Sequence, residues 1–216
     1  TPRSIIKGYT SLLLGGKVVK ITPKQLSHLK DIKSATDKMV ELVSNLLSIS
    51  RIEQEKIKLN IEDVNIKDIL QNVLYPLAEK AKQKKIKLNI RNFPDNLIIM
   101  ADQDKLHQAL SNLVENAIKY TQKGSVEVEI RERKDDIDII VKDTGIGIGK
   151  QEIEKIGSRF FRTQEAINID HHGTGLGVFI TKTIIEKHHG KFLVKSTPGK
   201  GTSVSITLPK KQIEEN

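Results

Sequence analysis

The period of the apolar residues changes once along these 216 residues, near position 56, and that change dictates two structural units. Upstream, Ile32, Ala35, Met39, Leu42, Leu46 and Ile49 recur at alternating intervals of three and four, the a and d spacing of a helix that packs in a bundle. Thr22 as N-cap and Pro23 at the first helical position predict a start near Pro23, and the pattern runs to about Glu55. A shorter apolar stretch, Ile5, Ile6, Tyr9, Leu12 and Leu13, ends at Gly15-Gly16, so residues 1–56 read as a helical hairpin. A lone hairpin buries too little apolar surface to be stable. The simplest cover for its seam is a second copy, giving a four-helix dimer; packing onto the chain's own downstream unit is the alternative.

From Ile57 to residue 216 strands and helices mix. Lys58 to Val64 alternates as a strand, Ile66 to Lys84 reads as an amphipathic helix, and Ile86 to Ile90 and Leu97 to Met100 are short strands. Leu106, Leu110, Leu113 and Ala117 make Asp102 to Tyr120 helical, with strands following at Ser125 to Arg131 and Ile137 to Lys142. A polar stretch, Gly149 to His172, has the length of a lid loop beside a site. Leu176 to His188 is again a helix, and Phe192 to Ser196 pairs with Ser203 to Leu208 across Pro198-Gly-Lys-Gly201 as a hairpin. The expected architecture is α+β: the hairpin, then an α/β sandwich in which a mixed sheet carries three helices on one face.

Composition removes several classes of function. With no Cys there are no disulfides, thiolate metal sites or cysteine nucleophile, which fits a reducing, cytoplasmic setting. No run of 18 apolar residues appears, so these residues are expected to make no membrane contact, whatever anchors a parent protein. The net charge of +9 invites nucleic acid, but the one Lys cluster (80, 82, 84, 85, 87) has no interleaved aromatic residues to stack bases and reads as a solvated helix end. No nucleic-acid partner is expected.

Three segments carry chemistry: Asn112-Leu-Val-Glu-Asn116, Asp143-Thr-Gly-Ile-Gly147 and Gly173-Thr-Gly-Leu-Gly177, spread over about 65 residues. Asn112 and Asn116 share a helix face, with Lys119 and Tyr120 one turn on; a helical amide can ligate hydrated magnesium, although a solvated polar face looks the same. Asp143 ends a strand where the backbone turns away. It can read an adenine edge or simply make a turn. The third segment frees backbone N–H groups of Gly173, Thr174, Gly175, Leu176 and Gly177 at a helix start, where phosphate is favoured. It is not a dinucleotide fingerprint, since Val178 stands where the last glycine belongs. Nor does Gly199-Lys200 make a Walker loop, with Val194 and Gly201 at the wrong places.

In this order and spacing the segments resemble the N, G1 and G2 boxes of the GHKL ATPase (Bergerat) fold, and within it the sensor histidine kinases of two-component systems; the resemblance covers essentially the whole chain. It implies ATP and Mg2+ as ligands. Asn116 would bind the metal, Asn112 would assist it, Lys119 would contact phosphate beside Tyr120, and Asp143 would accept from the adenine amino group, with Gly145 and Gly147 letting the backbone pass the base. In the polar stretch, Arg159-Phe-Phe-Arg162 matches the segment whose final Arg reaches the outer phosphate, so Arg162 takes that role and Arg159 a weaker one. Gly157 and Gly149 depart from the family, which there favours Phe and Pro.

The ATP-hydrolysing branches of the family place a general-base Glu four residues before the metal-binding Asn. Here that position is Asn112, and an amide cannot take water's proton, so transfer to another acceptor is favoured over hydrolysis. Thr1-Pro2-Arg3-Ser4 resembles the tail of the kinases' H box, which implies a phospho-accepting His just upstream of Thr1. None of the six His present has the matching context, and the His171-His172 and His188-His189 pairs read as lid and helix-end residues rather than metal ligands. Thr1 itself matches a residue that orients water for dephosphorylating the regulator. The resemblance therefore implies a homodimeric histidine kinase that phosphorylates an upstream His and relays to a response regulator receiver domain, with regulator phosphatase activity; an ATP-gated clamp or ATPase, or a degenerate nucleotide scaffold, is the alternative.

Overall fold

The computed structural model describes residues 8–10, 13, 22–53, 58–171 and 173–211. Contacts divide the chain into Thr1–Lys56 and Ile57–Asn216. In the first unit helix α1 runs from Pro23 to Glu53. Its start is a reciprocal cap: Thr22 Oγ1 accepts from Gln25 N at 3.3 Å, and Gln25 Oε1 accepts from Thr22 N at 2.9 Å. Along the helix Ile32, Met39, Leu42 and Val43 are exposed. Gly8–Thr10 and Leu13 are also helical. Thr1, the rest of the expected first helix and the Gly15-Gly16 turn lie outside the described residues.

The second unit runs β1 (Glu62–Asn65), α2 (Ile66–Gln83), β2 (Lys87–Arg91), β3 (Ile98–Ala101), α3 (Gln103–Tyr120), β4 (Ser125–Glu132), β5 (Asp136–Asp143), α4 (Lys150–Ile153), α5 (Gln164–Ile169), α6 (Gly177–Lys187), β6 (Lys191–Thr197) and β7 (Gly201–Pro209). Five strands form a mixed sheet in the order β2-β4-β5-β7-β6. Only β2 and β4 are parallel; the other neighbours are antiparallel. Alternation decides which face is covered. Val126, Val128 and Ile130 of β4, Ile137, Ile139 and Val141 of β5, and Ile206 and Leu208 of β7 are buried. Against them lie Leu70 and Leu74 of α2, Leu106, Leu110 and Leu113 of α3, and Ile180 and Ile184 of α6, all buried, with α3 between the other two helices.

Two expectations need correction. β1 begins at Glu62, not Lys58, and pairs antiparallel with β3 in a separate two-stranded sheet. The start of β1 is set by its partner: Glu62 lies opposite Ala101, the last residue of β3, because Asp102 turns away to cap α3 by accepting from Lys105 N. At its other end β1 stops where Asn65 caps α2 by accepting from Lys67 N. The stretch 149–172 is also not plain loop, since it contains the one-turn α4 and the short α5, the latter capped by Thr163 onto Ala166 N. Helices this short have no apolar period to read. Among the described residues no helix is long and apolar enough to cross a membrane.

Candidate functional site

All three segments lie in the second unit, and α3 organises them. Its N-cap, Asp102, does three things at once. Oδ1 accepts from Lys105 N (2.9 Å), Oδ2 from Asn60 N (2.9 Å), and its own N–H donates to His188 Nε2 (2.9 Å) at the end of α6. Because Nε2 accepts, the proton is on Nδ1, which donates to the Ile184 carbonyl at 2.7 Å. Burial pushes the His188 pKa below its ordinary 6.5, against the opposing pull of the Ile184 carbonyl and Asp102. His188 is thus a structural link between two helices of the site. Among the described residues no three His, Cys, Asp or Glu gather as a metal site.

Asn112, Asn116, Lys119 and Tyr120 follow on α3. Asn112 Nδ2 lies 3.5 Å from the Gly177 carbonyl, which joins the first segment to the third across 65 residues. Asn116 is half-buried, with no side-chain hydrogen bond to any described residue. At the helix end the Tyr120 carbonyl accepts from Ile146 N at 3.3 Å, and a Cβ on Gly145 would come within 2.5 Å of that carbonyl. The first and second segments are therefore in backbone contact, and only glycine fits at 145.

Asp143 closes β5. Its Oδ1 accepts from Gly145 N (2.8 Å) and from Thr202 N (3.2 Å), which leaves Oδ2 for another donor. Burial raises its pKa from 3.8, although both N–H bonds favour the carboxylate. Thr202 belongs to the site and was not expected from the motifs. The signal lay in Gly201, whose φ of +104° lets β7 press its backbone against the Asp143 carbonyl. Gly147 is likewise left-handed, with a hypothetical Cβ only 2.0 Å from the Thr197 carbonyl.

Between the second and third segments, Arg162 and Lys119 converge on one stretch of backbone. Arg162 Nη1 donates to Gly173 O (2.9 Å), and Nη2 to Ala166 O (2.8 Å) and the Asp170 carbonyl. Lys119 Nζ pairs with Asp170 Oδ2 at 3.0 Å. Arg159 instead lies over the Phe179 ring at 4.9 Å. Gly173, Thr174, Gly175 and Leu176 lead into α6, where Thr174 Oγ1 accepts from Leu176 N at 3.2 Å. Gly175 has φ of +70°, and a Cβ there would strike the Phe160 backbone, so the position needs glycine on both counts. Of the expected residues, Thr1 alone lies outside the description.

Residues 101–212 match a family of known proteins described as "Histidine kinase-, DNA gyrase B-, and HSP90-like ATPase". The chain belongs to this ATPase family. Its relatives include the sensor histidine kinase GacS of Pseudomonas protegens, 34% identical over 97% of this chain and 23% of GacS. WalK of Bacillus subtilis, also a sensor histidine kinase, is 33% identical over all of this chain and 36% of its own length. The chain therefore spans about a quarter to a third of these relatives. The crystal structure of ShkA in complex with AMPPNP superposes with a TM-score of 0.77 over 98% of this chain and 44% of ShkA, at 23% identity, which establishes the α/β ATPase fold of the second unit. Homology and fold together identify the unit as a histidine-kinase-type ATPase domain.

The residues present fit Mg-ATP. A half-buried amide without a partner among the described residues, a carboxylate oxygen open to a donor, and an uncrowded helix start at Gly177, where a Cβ would meet nothing nearer than Asn112 Oδ1 at 3.5 Å, are what such a ligand requires.

Proposed function

We propose that this chain is the kinase core of a two-component sensor histidine kinase. It binds Mg-ATP in the second unit and passes the γ-phosphoryl to a His just upstream of residue 1, for relay to an Asp of a response regulator. Residues 1–56 serve as the homodimerising hairpin and 57–216 as the ATP-binding domain. In this reading Asp143 Oδ2 accepts from the adenine amino group while Oδ1 stays fixed by Gly145 and Thr202. Asn116, assisted by Asn112, holds Mg2+, which when bound neutralises the phosphates it bridges. The N–H groups of Gly173, Thr174, Gly175, Leu176 and Gly177 receive phosphate at the start of α6, next to Lys119. Tyr120 borders the base through its contact with the Asp143 turn. Arg162 turns from the carbonyls of Gly173 and Asp170 to the outer phosphate, with Arg159 in support. Thr1 orients water in the reverse, phosphatase direction.

The observation that carries the reading is Asn112. On the helix face that meets Gly177 there is an amide, and no carboxylate precedes Asn116 by one turn to take a proton from water. ATP bound here keeps its γ-phosphate for another acceptor. The test extends the chain upstream to include the expected His and supplies γ-labelled ATP. Label that is lost in acid and stable in base supports a phosphohistidine; an extended chain that binds ATP and stays unlabelled sinks the kinase reading.

A further inference from the structure

Four consecutive carbonyls, from Ile118 to Thr121, emerge where α3 ends, and a helix terminus leaves such carbonyls without partners. Here all four are satisfied from outside the helix. Ile146 N donates to Tyr120 O, and the ammonium of Lys84 takes the other three: Ile118 O at 2.7 Å, Lys119 O at 2.8 Å and Thr121 O at 3.2 Å. An ammonium has three donors, and all are used. We propose that Lys84, outside all three nucleotide segments, is a positioning residue for ATP binding: it clamps the end of α3 and, through Tyr120, the Asp143–Gly147 turn in the arrangement that receives the nucleotide. The inference rests on the ATP-pocket reading above.

The clamp has a fixed base. Lys84 caps α2, with its N–H bonded to Lys80 O and Lys82 O, and Lys85 next to it adopts φ of +57° to send buried Ile86 into the core. Its ammonium therefore reaches α3 from an anchored turn. There is an electrostatic side as well. The carbonyl end of a helix carries partial negative charge, unfavourable to phosphates near Lys119, and Lys84 covers that end with a cation. Partial burial and the nearby Lys119 lower the Lys84 pKa from 10.5, consistent with an ammonium held against the protein surface. Lys80, one turn earlier on α2, is the natural control: it also reaches α3, but pairs with the Glu115 carboxylate at 2.6 Å.

Two measurements separate positioning from simple helix capping. Amide exchange at Ile146, without nucleotide, reports whether the turn is held; titration with ATP well below the melting temperature reports the consequence. Lys84→Met is expected to speed exchange at Ile146 and weaken ATP binding on the order of tenfold. Lys84→Arg should give intermediate values for both, because a planar guanidinium cannot converge on three carbonyls as an ammonium does. Lys80→Met should change neither. The proposal is overturned if Lys84→Met folds, at whatever melting temperature, with wild-type Ile146 exchange and ATP affinity. Should Lys84→Met fail to fold, wild-type values in Lys84→Arg overturn it equally. Failure of the unaltered chain to bind ATP would remove the pocket reading, and Ile146 exchange would still show whether Lys84 holds the turn.

Discussion

Asp143 offers a substitution that separates recognition from folding. Its Oδ1 accepts two backbone N–H groups, and an Asn side chain can keep that oxygen in place. At the other position Asp143→Asn exchanges an acceptor for an NH2 donor, which would face the adenine amino group donor to donor. A hydrogen bond to a charged acceptor contributes about 1.5–3 kcal/mol, so the dissociation constant for ATP should rise about 10- to 150-fold. The fold should not suffer. Burial raises the carboxyl pKa, so the folded state holds a proton more readily than the unfolded chain, and the ionised group costs stability at neutral pH; a neutral amide removes that cost. Guanine carries a carbonyl where adenine carries its amino group, and the new NH2 can donate to it, so the preference for ATP over GTP should shrink or reverse. Calorimetric titration with both nucleotides, alongside a thermal melt, checks this. An Asp143→Asn protein that melts like wild type and binds ATP within about twofold of wild type, when a lost charged hydrogen bond predicts tenfold or more, would refute the assignment.

Other consequences are quicker to state. Gly147→Ala combines a left-handed φ with a Cβ 2.0 Å from the Thr197 carbonyl, so it should destabilise the domain by more than about 1–2 kcal/mol in a urea melt, whereas Gly177→Ala, with 3.5 Å of clearance, should not. Asp170→Asn frees Lys119 from an exposed ion pair worth about 0–1 kcal/mol, and ATP affinity should rise by up to about fivefold in the same titration. The folded pKa of His188 lies below its unfolded value. Its neutral form therefore supports the fold fully above about pH 6.5, and melting temperature should decline as pH falls below that, less so in His188→Gln.

The three segments were legible because each uses residues that are poor choices for the element holding it: two Asn inside a helix, and glycines where a strand and a helix would otherwise continue. The helices α2, α3 and α6 were legible because each buries a stripe with helical period. What the residues could not reveal is pairing decided by tertiary contact. Thr202 reaches Asp143 across 59 positions, and Lys84 reaches Thr121 across 37, with no local pattern to mark either. The separation of β1 and β3 from the main sheet is of the same kind, since a four-residue strand states its faces and not its neighbour. Within 149–172 the partners of Arg162, the carbonyls of Ala166, Asp170 and Gly173, could not be read ahead because they depend on the unanticipated α5.

The account turns on a pocket that holds ATP without activating water, and the most direct measurement is phosphate release by this chain at saturating Mg-ATP, with the bound nucleotide analysed at the end. The account predicts bound nucleotide recovered as ATP and phosphate release close to the uncatalysed background, with Asn112→Glu moving the rate upward. Rapid multiple-turnover release by the unaltered chain would contradict it.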